Sequence, residues 1–193
     1  MLIYANISIP MRENMAFLLK SPFVCDIIYF GVYRAEFPDK SHFVKMGITM
    51  YKELVLKLTQ GNQWVKIQPP CSENDIDKAE KAVGYPFPDE LRALLREMNG
   101  DNFLLLSVEE MVRQAKLNRK VQEEYSDEDF AKDLNKLLFF AGNGCGDYYC
   151  YRADADGEID ENAVYIWEHE ESCCKQVASS MTELITRYYH NEI

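Results

Sequence analysis

The sequence predicts an α+β fold: an antiparallel sheet of about four to six strands with helices packed around it. Three observations lead there. Between Met50 and about Leu117, apolar residues recur at helical spacing and are punctuated by caps and by Gly or Pro stops. From Leu137 the pattern changes to short aromatic and β-branched runs separated by turn residues. A last helical stripe follows Ser180. Helices, then an antiparallel meander, then a closing helix is the order of an α+β domain, not of alternating βα units.

Leu54, Val55 and Leu58 form the first stripe, which Gly61-Asn62 stops. Gln63 to Ile67 reads as a short extended segment ending at Pro69-Pro70. Ser72 caps the next helix, whose Ile76, Ala79 and Val83 share a face, and Glu73, Asp75 and Asp77 suit its positive N-terminal end. On this helix Glu80 lies beside the apolar stripe, which points to a cap or ion-pair role. Gly84 to Pro88 breaks the helix. Asp89 begins another, with Leu91, Leu94, Leu95 and Met98 on one face and Asn99-Gly100 as its stop. Phe103 to Leu106 is a strand candidate. Ser107 to Glu110 is a capping box opening a helix through about Leu117, and Ser126 to Lys136 reads as a charged helix. Leu137 to Ala141 is a buried-strand run. Asp147 to Arg152 and Ala163 to Glu168 are further strands, joined through the turn residues Asp154 to Gly157. A second capping box, Ser180 to Glu183, starts the last helix, with Met181, Leu184, Ile185 and Tyr188 on its stripe. Residues 1–49 show no sustained period. They are expected to be a poorly defined extension, loosely packed or an over-called start with initiation at Met46 or Met50, while residues 50–193 form the domain.

With 193 residues, 47% of them apolar and 12% aromatic, the chain can bury a real core and is not a disordered tail. No apolar run reaches the roughly 18–20 residues of a membrane span, and the N-terminus lacks a basic region and cleavage site of signal-peptide type. A cytoplasmic location and reduced thiols at the six cysteines follow as expectations. The net charge is −11 and unevenly spread. Residues 1–49 carry five Lys/Arg and four Asp/Glu, leaving sixteen against twenty-eight, or −12, for the remainder. Such a domain repels nucleic acid and anionic membranes and attracts a basic partner, although acidic surfaces also serve solubility alone.

Gly142-Asn-Gly144-Cys-Gly146-Asp147 has the glycines of a phosphate cradle but not the helix that should follow, nor a Lys, so a tight turn with positive φ is expected. Asp154, Asp156, Glu158 and Asp160 fail as a calcium loop, because Ile159 stands where Gly is needed and Tyr165 where Glu is needed. Cys145, Cys150, Cys173, Cys174 and His169 are loosely spaced for zinc. No metal and no cofactor are therefore expected. A small enzyme using Cys145 or Cys150 with His169 is conceivable, but no third group to orient the histidine is visible. Tyr148, Tyr149, Tyr151, Tyr165 and Trp167 are mostly accompanied by acids, not by the Lys and Arg of a base-stacking surface. Core and cross-strand packing explain much of this aromatic text, and the remainder can anchor a protein partner.

The run Ile76-Asp-Lys-Ala-Glu80, Val83-Gly84, Pro86-Phe-Pro88-Asp89, Leu94-Leu95 and Asn99-Gly100 resembles the opening of the SUKH superfamily, with its Smi/Knr-type domains. That group includes the yeast cell-wall-assembly regulator and many bacterial toxin-immunity proteins. The strand-to-helix joint Leu106 to Glu110 resembles it too. So do Phe139 to Gly142, Gly144 to Tyr148 and Val164 to Glu168, and Val177 to Ser180 before the last helix. The resemblance spans about residues 50 to 193. It implies the same α+β fold, no catalytic residues, and an immunity-type protein that neutralises a polymorphic toxin, a nuclease or deaminase, by direct contact. A scaffold or regulatory binding module is the alternative. The implied partner is a cognate, basic protein toxin, and the chain is expected as a monomer or weak homodimer. Asp147, Tyr148, Tyr149, Trp167, Glu168, His169, Glu170 and Glu171 are the candidate contacts, because they combine acids and aromatics at strand ends and turns.

Overall fold

The structure is a computed structural model and describes residues 50–193; the expectation for residues 1–49 lies outside the described residues. Five α-helices are described: α1 Met50–Leu58, α2 Glu73–Val83, α3 Asp89–Glu97, α4 Val108–Glu124 and α5 Met181–Tyr189. Four strands, β1 Leu137–Gly142, β2 Tyr148–Arg152, β3 Val164–Glu168 and β4 Cys173–Ala178, form one antiparallel sheet in the order β1-β2-β3-β4. This is the α+β architecture, with a strand count inside the expected range.

Local chemistry explains where the helices begin and end. The Ser72 side chain accepts from the Asp75 amide, and Gly84 closes α2 in the left-handed region at φ 97°. Ser107 and Glu110 form a reciprocal capping box on α4. The box expected at Ser180 is shifted: Ser180 does accept from the Glu183 amide, but Glu183 reaches back to the Ser179 amide and hydroxyl. Glu80 takes the ion-pair role its position suggests, accepting from the Phe87 amide at 2.8 Å and from Arg92 at 2.5 Å. Arg92 also reaches Glu73 and Asp77 and so links α2 to α3.

The sheet has two unlike faces, because successive strand side chains point to opposite sides. Leu138, Phe140, Tyr149, Tyr151 and Val164 join the main core with Tyr51 and Val55 of α1, Ile76 of α2, Leu91, Leu94 and Leu95 of α3, and Leu184 and Ile185 of α5. Phe139 and Cys150 point the other way, into a smaller cluster with Leu134 and Leu137, against which Val121, Tyr148, Tyr165, Trp167 and Cys174 are partly buried. β1 is covered on both sides and is buried along its whole length.

Four expectations are corrected. Residues 126–136 do not form one helix; they hold two 3-10 turns, Asp129–Ala131 and Leu134–Lys136. The segment is short and carries Asp133 and Asn135, which are weak helix formers, and Lys132–Asp129 and Lys136–Asp133 pairs accompany the two turns. α4, by contrast, runs past Leu117 to Glu124. Tertiary contacts carry it: Asn118 is buried and donates to the Leu134 carbonyl, and Arg119 donates to the Ala82 and Val83 carbonyls at the end of α2. Gln63 and Trp64 form a turn and are not part of the extended segment, and beyond them the Lys66 and Gln68 amides donate to the Asp101 and Gly100 carbonyls. Phe103 to Leu106 contributes only the bridge Leu105–Ala141 beside β1. β4, which carries little apolar alternation, is an element that the sequence reading does not single out.

Asp101 explains why the Phe103 segment curls and does not run on as a strand. Its carboxylate is fully buried and accepts from the Phe103, Leu104 and Leu105 amides at 3.0, 2.9 and 2.8 Å, which takes up amides a strand partner would use. Its other oxygen accepts from the Tyr189 hydroxyl at 2.5 Å. Gly100 beside it has φ 83°, and a Cβ there would lie 2.7 Å from the Leu105 carbonyl oxygen, so only glycine fits.

Candidate functional site

The β1–β2 turn is built around Asn143. Its side-chain oxygen accepts from the Cys145 and Asp147 amides, and its amide group donates to Asp147 at 2.8 Å. Gly144 and Gly146 occupy the left-handed region at φ 75° and 108°. The glycine cluster is therefore a tight turn, as its residues suggest.

This turn clasps the β3–β4 turn through a carboxylate and an imidazole. Asp147 Oδ1 accepts from the His169 backbone amide at 3.1 Å and meets His169 Nδ1 at 2.7 Å. The imidazole lies against Gly146, where an added Cβ would come within 2.9 Å of Nδ1. The hydrogen bond from the His169 ring, then its backbone amide and Asn143, holds the Asp147 carboxyl below its ordinary range. Asp147 is thus the orienting group for His169 that the sequence does not reveal.

Beyond His169, Lys175 Nζ bridges Glu168 at 2.6 Å and Glu171 at 3.0 Å. Donor atoms of Glu168, Glu171 and Cys173 lie within 4.8 Å of one another. Among the described residues this is the trio spaced to hold a metal ion, in place of the cysteine and histidine set weighed for zinc. The single lysine ammonium bridges both carboxylates, so the arrangement is that of an ion-pair cluster. The former calcium-loop candidate is a hairpin turn in which Asp154 accepts from the Asp156 and Glu158 amides.

The fold gathers most of the candidate contacts at one end of the sheet. Tyr148 and Trp167 are directly opposite on β2 and β3. Tyr148 stacks on Phe139 with centroids 4.8 Å apart and Trp167 tilts over the same ring at 5.7 Å, both half-buried. Glu168 follows Trp167, and His169, Glu170 and Glu171 are exposed in the turn. Tyr149 is a correction. It is 1% exposed and belongs to the main core, where burial pushes its hydroxyl up to about 12. The strand period turns it to the opposite face from Tyr148, which withdraws it from any surface role.

Of the two cysteines weighed as nucleophiles, Cys150 is fully buried and burial pushes its thiol well up, which suits packing and not attack. Cys145 is exposed on the turn.

The structure also exposes a feature that the sequence reading misses. A cleft of about 340 Å³ opens between the Asn102–Leu106 segment and the Gly142–Tyr148 turn, with Glu110 of α4 on its wall. Phe103 lines it and is 42% exposed. Its ring is braced by Tyr189, stacked at 6.2 Å, and by Tyr188, edge-on at 6.3 Å. The Tyr188-Tyr189 doublet was the available signal: two adjacent aromatics cannot share one helix stripe, so one of them must look elsewhere.

No curated protein matches the chain significantly in sequence. Residues 70–187, more than half of the chain and the stretch from just before α2 into α5, match the SMI1 / KNR4 family (SUKH-1) model, and the chain belongs to that family.

Proposed function

We propose that this chain is an immunity-type binding protein that neutralises a polymorphic bacterial toxin, of the nuclease or deaminase kind, by direct protein–protein contact in the cytoplasm. Family membership supports a binding role over a catalytic one, as the resemblance of its sequence implies. The observation that carries the reading is the end of the sheet, where Asp147, Glu168, Glu170 and Glu171 stand beside the half-buried rings of Tyr148 and Trp167. Acids speed the encounter with a basic protein, and partly buried aromatics hold it. The net charge of −12 after residue 49 favours a basic partner and disfavours nucleic acid.

The test is affinity capture of the tagged full chain from its native cell, followed by an activity assay of what is captured. The reading expects one dominant basic protein whose toxicity or nucleic-acid-modifying activity the chain suppresses at equimolar ratio. Several unrelated partners with no inhibited activity would replace it with a scaffold or regulatory role. Turnover by the chain itself, abolished in Cys145→Ala, would replace it with an enzyme.

A further inference from the structure

We propose that the cleft between the Asn102–Leu106 segment and the Gly142–Tyr148 turn is the docking site for an arginine side chain presented on a loop of the basic partner. The inference rests on the binding role proposed above and gives it a specific contact.

Charge is the first observation. Glu110 and Asp147 line the cleft, and no Lys or Arg is among its described lining residues; Arg113, with its side chain exposed, approaches Glu110 Oε1 at 3.8 Å. Both carboxylates are already held in place. Glu110 accepts from the Ser107 amide at 2.9 Å and from the Ser107 hydroxyl at 3.0 Å, while Asp147 is fixed by Asn143 and His169. A partner therefore does not bear the entropic cost of ordering them, and each carboxylate retains lone pairs for further donors.

Shape and surface chemistry are the second. Gly144 and Gly146 carry no side chains to close the opening. Phe103 offers a braced aromatic ring in the same cleft. A flat cation that stacks on an aromatic ring and donates in several directions to carboxylates is a guanidinium; an ammonium is a more strongly hydrated point charge. The volume of about 340 Å³ is at the small end of ligand pockets, enough for one long side chain and its immediate backbone.

The experiment titrates the ¹⁵N-labelled full chain with the acetylated, amidated tetrapeptide Gly-Arg-Gly-Arg and with its citrulline counterpart, reading amide shifts. The expected result is shifts concentrated at residues 102–106, 110 and 142–148. Citrulline should weaken binding by at least about fivefold, the scale of one lost ion pair. Phe103→Lys, which places a cation in the cleft, and Glu110→Gln should each weaken it by about as much, and Phe103→Lys leaves the Asn143–Asp147–His169 hydrogen bonds untouched. Strongest shifts in the acidic stretches 123–133 or 154–161, equal binding of citrulline, or no shifts would overturn the proposal. Shifts of the cleft amides on concentrating the peptide-free protein would assign the cleft to a second copy and overturn it too. Partner capture separates this inference from the function above: a captured, inhibited toxin that binds Phe103→Lys unchanged removes the cleft alone. Arginine seated in the cleft, with no inhibited partner captured, removes the toxin reading alone.

Discussion

The two faces of the sheet are made from the same residue types and do different work. On the main-core face, Phe140, Tyr149 and Tyr151 are each at most 1% exposed beneath α1, α3 and α5. On the other face, Phe139 and Cys150 are buried, but Tyr148, Tyr165 and Trp167 are half-open among the described residues, where the end of α4 and the Leu134 turn pack against them. Aromatic residues alternate between these faces along β2, so neighbours one position apart belong to a sealed core and to a surface. The lesson is that an aromatic-rich strand declares its burial only once both sides of the sheet have been accounted for.

The largest difference should appear in stability. Phe140→Ala is expected to cost about 3–5 kcal/mol, as a full core cavity does. Trp167→Ala should cost only about 1–2 kcal/mol, because part of its area never leaves water. Urea unfolding of both variants measures the contrast, and equal losses would erase the distinction between the faces.

A smaller effect sharpens the comparison within β2. The Tyr151 hydroxyl is buried with no hydrogen-bond partner among the described residues. Tyr151→Phe should therefore be neutral or raise stability by up to about 1 kcal/mol. Tyr148→Phe, at the half-open face, should change stability by less than about 0.5 kcal/mol. A marked loss in Tyr151→Phe would mean that the hydroxyl is satisfied in solution.

The smallest effect concerns pH at the clasp between the two turns. The folded Asp147 carboxyl is held below its ordinary value by His169. Its contribution is therefore complete above the unfolded carboxylate range, near about pH 4, and is lost as pH falls through the depressed folded value. Thermal midpoints of the wild type and Asp147→Asn should differ at pH 7 and converge as pH falls below about 4. A constant difference across that range would show that Asp147 acts as a hydrogen-bonding group whose charge is irrelevant.

Much of the helical half was legible because its signals are local. Ser72 and Gly84 bracket α2, Ser107 and Glu110 open α4, and each works through residues three or four positions away. The strands β1, β2 and β3 were legible as runs, and the glycines of the β1–β2 turn as a turn. What stayed hidden depends on long-range contacts. α4 extends because Arg119 finds the end of α2, 36 residues away. Phe103 is seated by Tyr189 and by Asp101, and Tyr189 is 88 residues from Asp101. The clasp of Asp147 and His169 spans 22 residues and exists only because β2 and β3 pair in that register. The candidate contacts were chosen in sequence as acids and aromatics at strand ends and turns; their gathering at one end of the sheet comes from the strand pairing, and the strand phase sends Tyr149 inward.

The central claim is that the open end of the sheet binds a basic protein. It is tested most directly by the association rate of the full chain with its captured partner as a function of ionic strength. The same series is run on the Glu168/Glu170/Glu171→Lys variant. The account predicts a wild-type rate that falls by roughly tenfold between low and high salt, with a flat or reversed dependence and weaker affinity in the variant. A salt-insensitive wild-type rate together with unchanged affinity in the variant would contradict it and move the interface elsewhere on the molecule.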